Sequence, residues 1–102
     1  MKIVNPATEE VIREMKEDTP ESVQQKFQTL RSSQAAWKAL KISDRVNIIK
    51  KYSDLLETNI EHLAAVLTSE VGKPLQQSRN EVNGARTRIK WFTDNAEKYL
   101  SD

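Results

Sequence analysis

The side chains that most often carry out chemistry are sparse in this chain. His62 is the only histidine, and a surface position beside Glu61 explains it more simply than a role as a catalytic base. One histidine cannot form a metal-binding pair, and without cysteine there is neither a thiolate nucleophile nor a cysteine zinc site. Gly72 and Gly84 are the only glycines, so the sequence contains no Gly-rich phosphate-binding loop. The residues alone therefore show no catalytic constellation.

Charged residues are numerous but balanced. Arg79, Arg86 and Lys90 fall along one flank of the last predicted helix, where a solvated face is a simpler interpretation than a phosphate-binding one. The net charge of +1 does not support bulk attraction to nucleic acid or to an anionic membrane. The sequence has no apolar run long enough to span a bilayer and no apolar signal core at its start. We expect a cytoplasmic protein with neither nucleic acid nor membrane as a partner.

The elements that would position these residues are mainly helical. With 102 residues and 30% charged side chains, the chain is one domain at most, with a modest core. Residues 2–4 and 11–15 predict a short N-terminal β-hairpin around the turn at Asn5-Pro6. Two strands alone are marginally stable in water, so this hairpin needs a surface to lie on. Four to five helices are predicted to follow it.

The first two predicted helices carry recognisable start signals. Thr19 is a predicted N-cap before Pro20, and the helix should run to about Ala39. Ser43 is the predicted cap of the second helix, and Asn59 that of a third after a bend. The apolar stripe of the first helix consists of Val23, Phe27, Leu30 and Trp37, with Gln34 at its edge. Ile48 and Leu55 widen the stripe of the second, which predicts that it is covered from two sides.

The stretch Glu70-Val71-Gly72-Lys73-Pro74 divides the helical part. Gly72 is placed to end one helix in the left-handed conformation, and we expect the last helix to begin near Asn80. The last helix should bury a stripe formed by Val82, Ala85, Ile89, Phe92, Ala96 and Leu100. Trp91 lies more than about 100° away from the centre of that stripe, on a second face shared with Gly84, Arg88 and Asn95. The last helix is therefore predicted to have two faces with different roles.

Several of these stretches resemble the aldehyde dehydrogenase superfamily. The opening, from Asn5-Pro6-Ala7-Thr8 to Val11-Ile12, is similar to the family sequence NPATGEVI. The resemblance continues through Ala36-Trp37-Lys38, Arg45 and Asp54-Leu55-Leu56, and it is strongest at residues 70–74 and 91–100. The closing segment is most similar to succinate-semialdehyde dehydrogenase-like members.

The resemblance implies an activity for the family and a limit for this chain. Aldehyde dehydrogenases oxidise an aldehyde to an acid with NAD or NADP, through a cysteine thiohemiacetal and hydride transfer. In full-length members, the catalytic Cys, the general-base Glu, the oxyanion Asn and the nucleotide-binding segments lie further along. Residues 1–102 resemble only the N-terminal hairpin and helices, so we expect this chain to have no catalytic or cofactor-binding residue and no activity by itself.

Two family features correspond to positions of this sequence. The helix matching residues 81–100 forms part of the wall of the substrate tunnel in relatives, which implies that role for Asn80 and Gly84, with Arg88 and Trp91 on the same face. A crowded helix crossing is an equally good reason for a glycine at position 84. Glu70 resembles an acidic position that holds a monovalent cation in some relatives, together with a backbone carbonyl near Ile3. An ordinary carboxylate at a helix end is the simpler interpretation.

Three hypotheses follow. The first is that the chain is a fragment of an NAD(P)-dependent aldehyde dehydrogenase, whose substrate would be succinate semialdehyde according to the resemblance of the closing segment. The second is a stand-alone helical interaction module derived from that family. The third is an unrelated helical binding protein. Because the faces of Ile48, Leu55 and Trp91 would be left partly exposed, we expect self-association or binding to the remainder of the enzyme. The swapping of the last helix between chains is one route to self-association.

Overall fold

The computed structural model describes residues 1–100, of which about three quarters are helical. Two short strands, β1 (Lys2–Val4) and β2 (Val11–Glu14), precede four helices in this part of the chain. The helices are α1 (Pro20–Ala39), α2 (Ile42–Thr58), α3 (Ile60–Val71) and α4 (Leu75–Leu100). The predicted class, mainly α with an N-terminal hairpin, is confirmed.

The strands form an antiparallel hairpin whose turn rests on the helical part. Ile3 lies opposite Arg13, and an irregularity in the pairing follows before Val4 meets Val11. The turn is closed by two backbone bonds between Asn5 and residues 9 and 10, and Asn5 Oδ1 also accepts a hydrogen bond from the amide of Ala7 (2.9 Å). At this end of the hairpin Pro6 lies beside Gly72 at the C-terminus of α3, whereas every residue of β2 stays exposed.

The predicted start of α1 is confirmed and that of α2 is wrong. Thr19 and Ser22 form a reciprocal capping box, each side chain accepting from the other's backbone amide. In contrast, α2 begins at Ile42, with Lys41 as its N-cap and no capping side chain, so Ser43 already lies inside the helix. The bend at Thr58-Asn59 is confirmed, and Asn59 is the N-cap residue of α3 as predicted. Its side chain does not cap α3, since the side-chain amide donates instead to the carbonyl of Leu55 in α2 (2.8 Å).

The hairpin of α3 and α4 holds the fully buried side chains of the described residues. Gly72 ends α3 in the left-handed conformation (φ 73°), as predicted, and its amide donates to the carbonyl of Thr68. The next helix begins at Leu75, five residues before the predicted start near Asn80, because Pro74 accepts its first backbone hydrogen bonds. Ala64 and Ser78 are completely buried where the two helices meet.

The remaining helices differ in how they pack. α4 packs along both α2 and α3, whereas α1 has no extended contact with another helix in residues 1–100, and Trp37 near its end borders a groove with α2 and α4. The radius of gyration is 17.8 Å, compared with about 13 Å for a compact chain of 100 residues. Residues 1–100 therefore form a layer of three packed helices, α2, α3 and α4, from which α1 extends. They do not form a closed globule.

Candidate functional site

The four residues predicted for a tunnel wall lie together on one face of α4. Asn80, Gly84, Arg88 and Trp91 follow one another at steps of four, four and three residues, which keeps them on one side of the helix. The half-buried positions Val82, Ala85, Ile89 and Ala96 turn towards the other helices, while Arg88 and Trp91 are exposed. The predicted division of α4 into two faces is therefore confirmed, although Phe92 and Leu100, expected to be buried, are 64% and 65% exposed.

The middle of this face has room for another molecule. A Cβ atom built on Gly84 would meet no heavy atom within 4 Å, so the glycine is not required by a helix crossing within residues 1–100. A glycine in a helix interior costs about 1 kcal/mol relative to alanine. The crowded crossing that the sequence allowed is therefore absent from the described residues, which leaves close approach by something outside them as the remaining physical reason for Gly84.

An aromatic cluster continues this face towards the end of α4. The rings of Trp91 and Tyr99 are stacked, with their centroids 6.3 Å apart, and the ring of Phe92 meets Trp91 edge-on at 5.2 Å. The Lys98 ammonium lies 5.1 Å from the centroid of Tyr99. Tyr99 was not singled out in the sequence, and its eight-residue distance from Trp91 is the signal that would have found it. We call Trp91, Phe92 and Tyr99 the aromatic cluster.

Charge on the tunnel-wall face is concentrated at Arg88. Its guanidinium forms no ion pair among residues 1–100, whereas the basic residues of the neighbouring flank are all engaged. Arg79 binds Glu61 through two nitrogens, Arg86 binds Glu57 at 2.7 Å, and Lys90 binds Asp94 at 2.7 Å. The flank of Arg79, Arg86 and Lys90 is thus a set of internal ion pairs rather than a free phosphate-binding surface.

The pair of Arg79 and Glu61 fixes α3 against α4. Hydrogen bonds from Arg79 hold the pKa of the Glu61 carboxyl below its usual range, and the same bonds raise the pKa of the arginine. Close by in the hairpin, the hydroxyls of Thr68 and Ser78 share a hydrogen bond of 2.9 Å. These contacts set the direction of α4 and hence of its outward face.

The two residues predicted for a monovalent cation lie on neighbouring elements. Glu70 is exposed in the last turn of α3, and Ile3 lies in β1, whose hairpin touches Gly72 through Pro6. Within residues 1–100 there is no group of three or more His, Asp or Glu side chains that could hold a metal ion. A site formed by one carboxylate and a backbone carbonyl is a different kind of site, and it stays a prediction.

The histidine considered in the sequence does not join either of these sites. His62 is exposed on α3, away from the free face of α4. No helix within residues 1–100 is long and apolar enough to cross a membrane. The cytoplasmic location stays a prediction of the sequence.

Residues 1–100 thus consist of an N-terminal β-hairpin followed by four helices, and the long last helix keeps one face open. The model of the aldehyde dehydrogenase family matches residues 1–102. This chain belongs to the aldehyde dehydrogenase family, as its motifs predicted.

Relatives and one solved structure agree with this assignment. The chain is 31% identical to succinate semialdehyde dehydrogenase of Acinetobacter baylyi over 98% of its length, and 29% identical to glutarate-semialdehyde dehydrogenase of Pseudomonas aeruginosa over all of it. The fold matches glyceraldehyde-3-phosphate dehydrogenase GapN of Methanocaldococcus jannaschii, crystallised with NADP, over 95% of this chain with a TM-score of 0.90 and 27% identity. The chain spans about a fifth (21%) of the length of each of these proteins.

Proposed function

We propose that these residues form the N-terminal segment of an NAD(P)-dependent aldehyde dehydrogenase, and that α4 supplies one wall of its substrate tunnel. The observation that carries the proposal is the free face of α4, on which Gly84 leaves space, Arg88 forms no ion pair within residues 1–100 and Trp91 is 55% exposed. The rest of such an enzyme would supply the catalytic cysteine and general base, with NAD or NADP as hydride acceptor. No catalytic or cofactor-binding role falls to this chain.

Arg88 suggests the substrate class. A succinate or glutarate semialdehyde carries a carboxylate at the end opposite its aldehyde group, and several relatives are named for such substrates. A guanidinium binds a carboxylate through two parallel hydrogen bonds, and this interaction strengthens when water is excluded. We assign Arg88 to the distal carboxylate of a semialdehyde, succinate semialdehyde first among them, and Trp91 to the apolar wall along its methylene groups.

A chimeric enzyme tests the proposal. Residues 1–102 replace the matching fifth of the A. baylyi enzyme, and reduction of NAD or NADP is followed with succinate semialdehyde and with propanal, which has no carboxylate. We expect activity from the chimera and none from the chain alone. Arg88→Gln should raise KM for succinate semialdehyde about 10-fold or more while leaving KM for propanal unchanged, since a charge-assisted pair contributes about 1.5–3 kcal/mol.

Lys90→Gln is the matched control. It removes a positive charge two residues further along α4, from a lysine that is already paired with Asp94. Equal effects of the two variants would exclude a specific role for Arg88. A chimera that is folded and of native subunit assembly but inactive with every aldehyde would overturn the proposed function itself.

Glu70 supports a second part of the proposal. Its carboxylate is exposed and unpaired within residues 1–100, and the hairpin that carries Ile3 rests against the same end of α3. We assign Glu70 and the carbonyl of Ile3 to a monovalent cation. Thermal stability should rise on addition of potassium or sodium and should stop responding in Glu70→Gln. The Glu61→Gln variant, which removes a carboxylate elsewhere on α3, should keep the response.

A further inference from the structure

A small apolar groove lies where the end of α1, the start of α2 and the end of α4 meet. It has a volume of about 170 Å³, and Arg45 is the one charged side chain that borders it within residues 1–100. Most of its surface is apolar and is formed by side chains that include Trp37, Ile49, Phe92, Ala96 and Leu100. Trp37 and Phe92 remain 39% and 64% exposed, so residues 1–100 do not close the groove themselves.

Arg45 is held beside this groove without a partner. Its side chain is partly buried, and its Nε is fully covered but forms no hydrogen bond. The guanidinium takes part in none of the ion pairs within residues 1–100, whereas Arg79 and Arg86 of α4 are paired with carboxylates. Because Nε is its one covered nitrogen, the terminal nitrogens can be reached from the surface. Buried polar groups are normally hydrogen-bonded, and a charge taken from water is costly unless it is paired, so this position calls for a carboxylate.

The size and lining of the groove indicate which kind of group fits. Pockets for small-molecule ligands measure about 300–1,000 Å³. A groove of about 170 Å³ therefore fits one or two side chains better than it fits a free metabolite. An apolar lining beside a guanidinium is complementary to an acidic side chain that has an apolar neighbour. A guanidinium binds a carboxylate through two parallel hydrogen bonds, which adds specificity as well as energy.

We propose that an aspartate or glutamate from the remainder of the dehydrogenase binds Arg45, and that an apolar side chain next to it fills the groove. This inference rests on the proposed function, because it needs the chain that continues beyond residue 102 in such an enzyme. Leu100, the last residue of α4, borders the groove, so a continuing chain leaves α4 beside it. A segment attached so close has a high effective concentration at the groove, which a second copy of the chain lacks.

Removal of the guanidinium should have opposite effects in the isolated chain and in the chimera with the A. baylyi enzyme. Arg45→Met keeps an apolar side chain of similar reach. In isolated residues 1–102 it removes a covered donor that has no partner, so the melting temperature should rise by about 2 °C or more. In the chimera it leaves the partner carboxylate unpaired, so the melting temperature should fall by about 2 °C or more.

Lys51→Met is the matched control for this pair of measurements. It removes an exposed charge from the same helix, at a position that does not border the groove. Both melting temperatures should stay within about 1 °C of the parent values. A fall in the chimera as large as that of Arg45→Met would show a general effect of charge on α2 and would overturn the proposed contact.

Cross-linking identifies the partner. A carbodiimide joins an amine to a carboxylate that touches it, and Arg45→Lys supplies an amine at the groove. Peptide mass spectrometry of the cross-linked chimera should find position 45 joined to an aspartate or glutamate beyond residue 102. In a denaturing gel, the linked product should keep the mass of one chain. A product of twice that mass would mean that a second copy occupies the groove and would overturn the proposal.

The remaining outcomes separate this proposal from the proposed function. A chimera that oxidises succinate semialdehyde, but melts at the same temperature with and without Arg45→Met, would overturn the groove contact and leave the function intact. A link to a carboxylate within residues 1–102, or no link at all, would also overturn the contact. A folded chimera with the expected link but no activity towards any aldehyde would support the contact and overturn the proposed function alone.

Discussion

The two ends of the chain use similar sequence patterns with different results. The hairpin of α3 and α4 buries Ala64 and Ser78 completely and is fixed by ion pairs and a hydroxyl pair. The α1 helix also has an apolar stripe, yet none of its residues is buried within residues 1–100. Periodicity therefore tells which face of a helix must be covered, but it does not tell whether the covering surface belongs to the same segment of chain.

Hydrogen exchange should show the largest difference between these regions. In a sample dilute enough to be monomeric, the central amides of α3 and of the first half of α4 should exchange at least about 10-fold more slowly than those of α1, because local opening of α1 exposes no packed surface. Equal protection of α1 and α3 in the dilute sample would contradict the comparison.

Overpacking at Ala64 should destabilise the packed region strongly. Ala64 has no exposed surface, so Ala64→Leu forces α3 and α4 apart and should lower the free energy of unfolding by about 1–3 kcal/mol. Its exposed neighbour supplies the control, since Ala65→Leu has the same volume change on the open side of α3 and should stay within about 0.5 kcal/mol of the parent. Urea unfolding measures the free energy of unfolding of both variants. Equal values would show that the contact between α3 and α4 is loosely packed.

The Gly72→Ala variant should separate the cost of backbone strain from the cost of a clash with Pro6, at the point where the β-hairpin meets α3. The substitution places a side chain in the left-handed conformation, which costs about 1–2 kcal/mol, and its Cβ would lie 2.8 Å from Pro6 Cγ. Adding Pro6→Ala removes that clash but not the backbone strain. We expect thermal unfolding to show partial recovery in the double variant. No recovery would mean that the turn of the β-hairpin does not lie close to Gly72.

Gly84→Ala should raise the free energy of unfolding, which Gly72→Ala lowers. Because the new methyl group enters open space, the variant should stabilise the isolated chain by about 1 kcal/mol. In the chimera with the A. baylyi enzyme, the same change should lower activity if substrate or another segment approaches this face closely. A destabilised isolated chain would show that Gly84 is crowded from within.

The smallest effect is expected from the ion pair of Glu61 and Arg79. The pKa of Glu61 is lowered from its usual value of 4.5, chiefly by hydrogen bonds from Arg79. A group whose pKa is lower in the folded chain stabilises it above its unfolded pKa and loses that contribution as pH falls through the folded pKa. Melting temperatures should therefore fall less steeply below about pH 4.5 in Glu61→Gln. A slope equal to the parent's in Glu61→Gln would contradict this contribution of the ion pair.

Elements with local signals were predictable from the sequence. The Thr19 cap, the bend at Thr58 and the left-handed Gly72 depend on residues within a few positions of one another, and all three are confirmed. The start of α4 was placed too late because residues 75–80 are polar, although Pro74 can open a helix five residues earlier. Ser43 was a plausible cap, but α2 begins at Ile42 without a side-chain cap.

The candidate site was partly predictable. Periodicity alone separated Trp91 from the inward stripe of α4, and the family motifs added Asn80 and Gly84 to that face. The exposure of Phe92 and Leu100 could not be predicted, because periodicity shows which face of a helix is apolar and not how much of that face the other helices of residues 1–100 cover. The tunnel-wall and cation roles stay predictions, because they depend on contacts that residues 1–100 do not make.

The short connection between α3 and α4 has a consequence for synthesis on the ribosome. Gly72, Lys73 and Pro74 join two helices that pack directly on each other, so their contacts lie close in sequence and form rapidly. Translation adds about 5–20 residues per second, so the remaining four fifths of a relative's length would take tens of seconds to appear. We expect the α3–α4 pair to fold during that interval, while the exposed stripe of α1 stays accessible to chaperones.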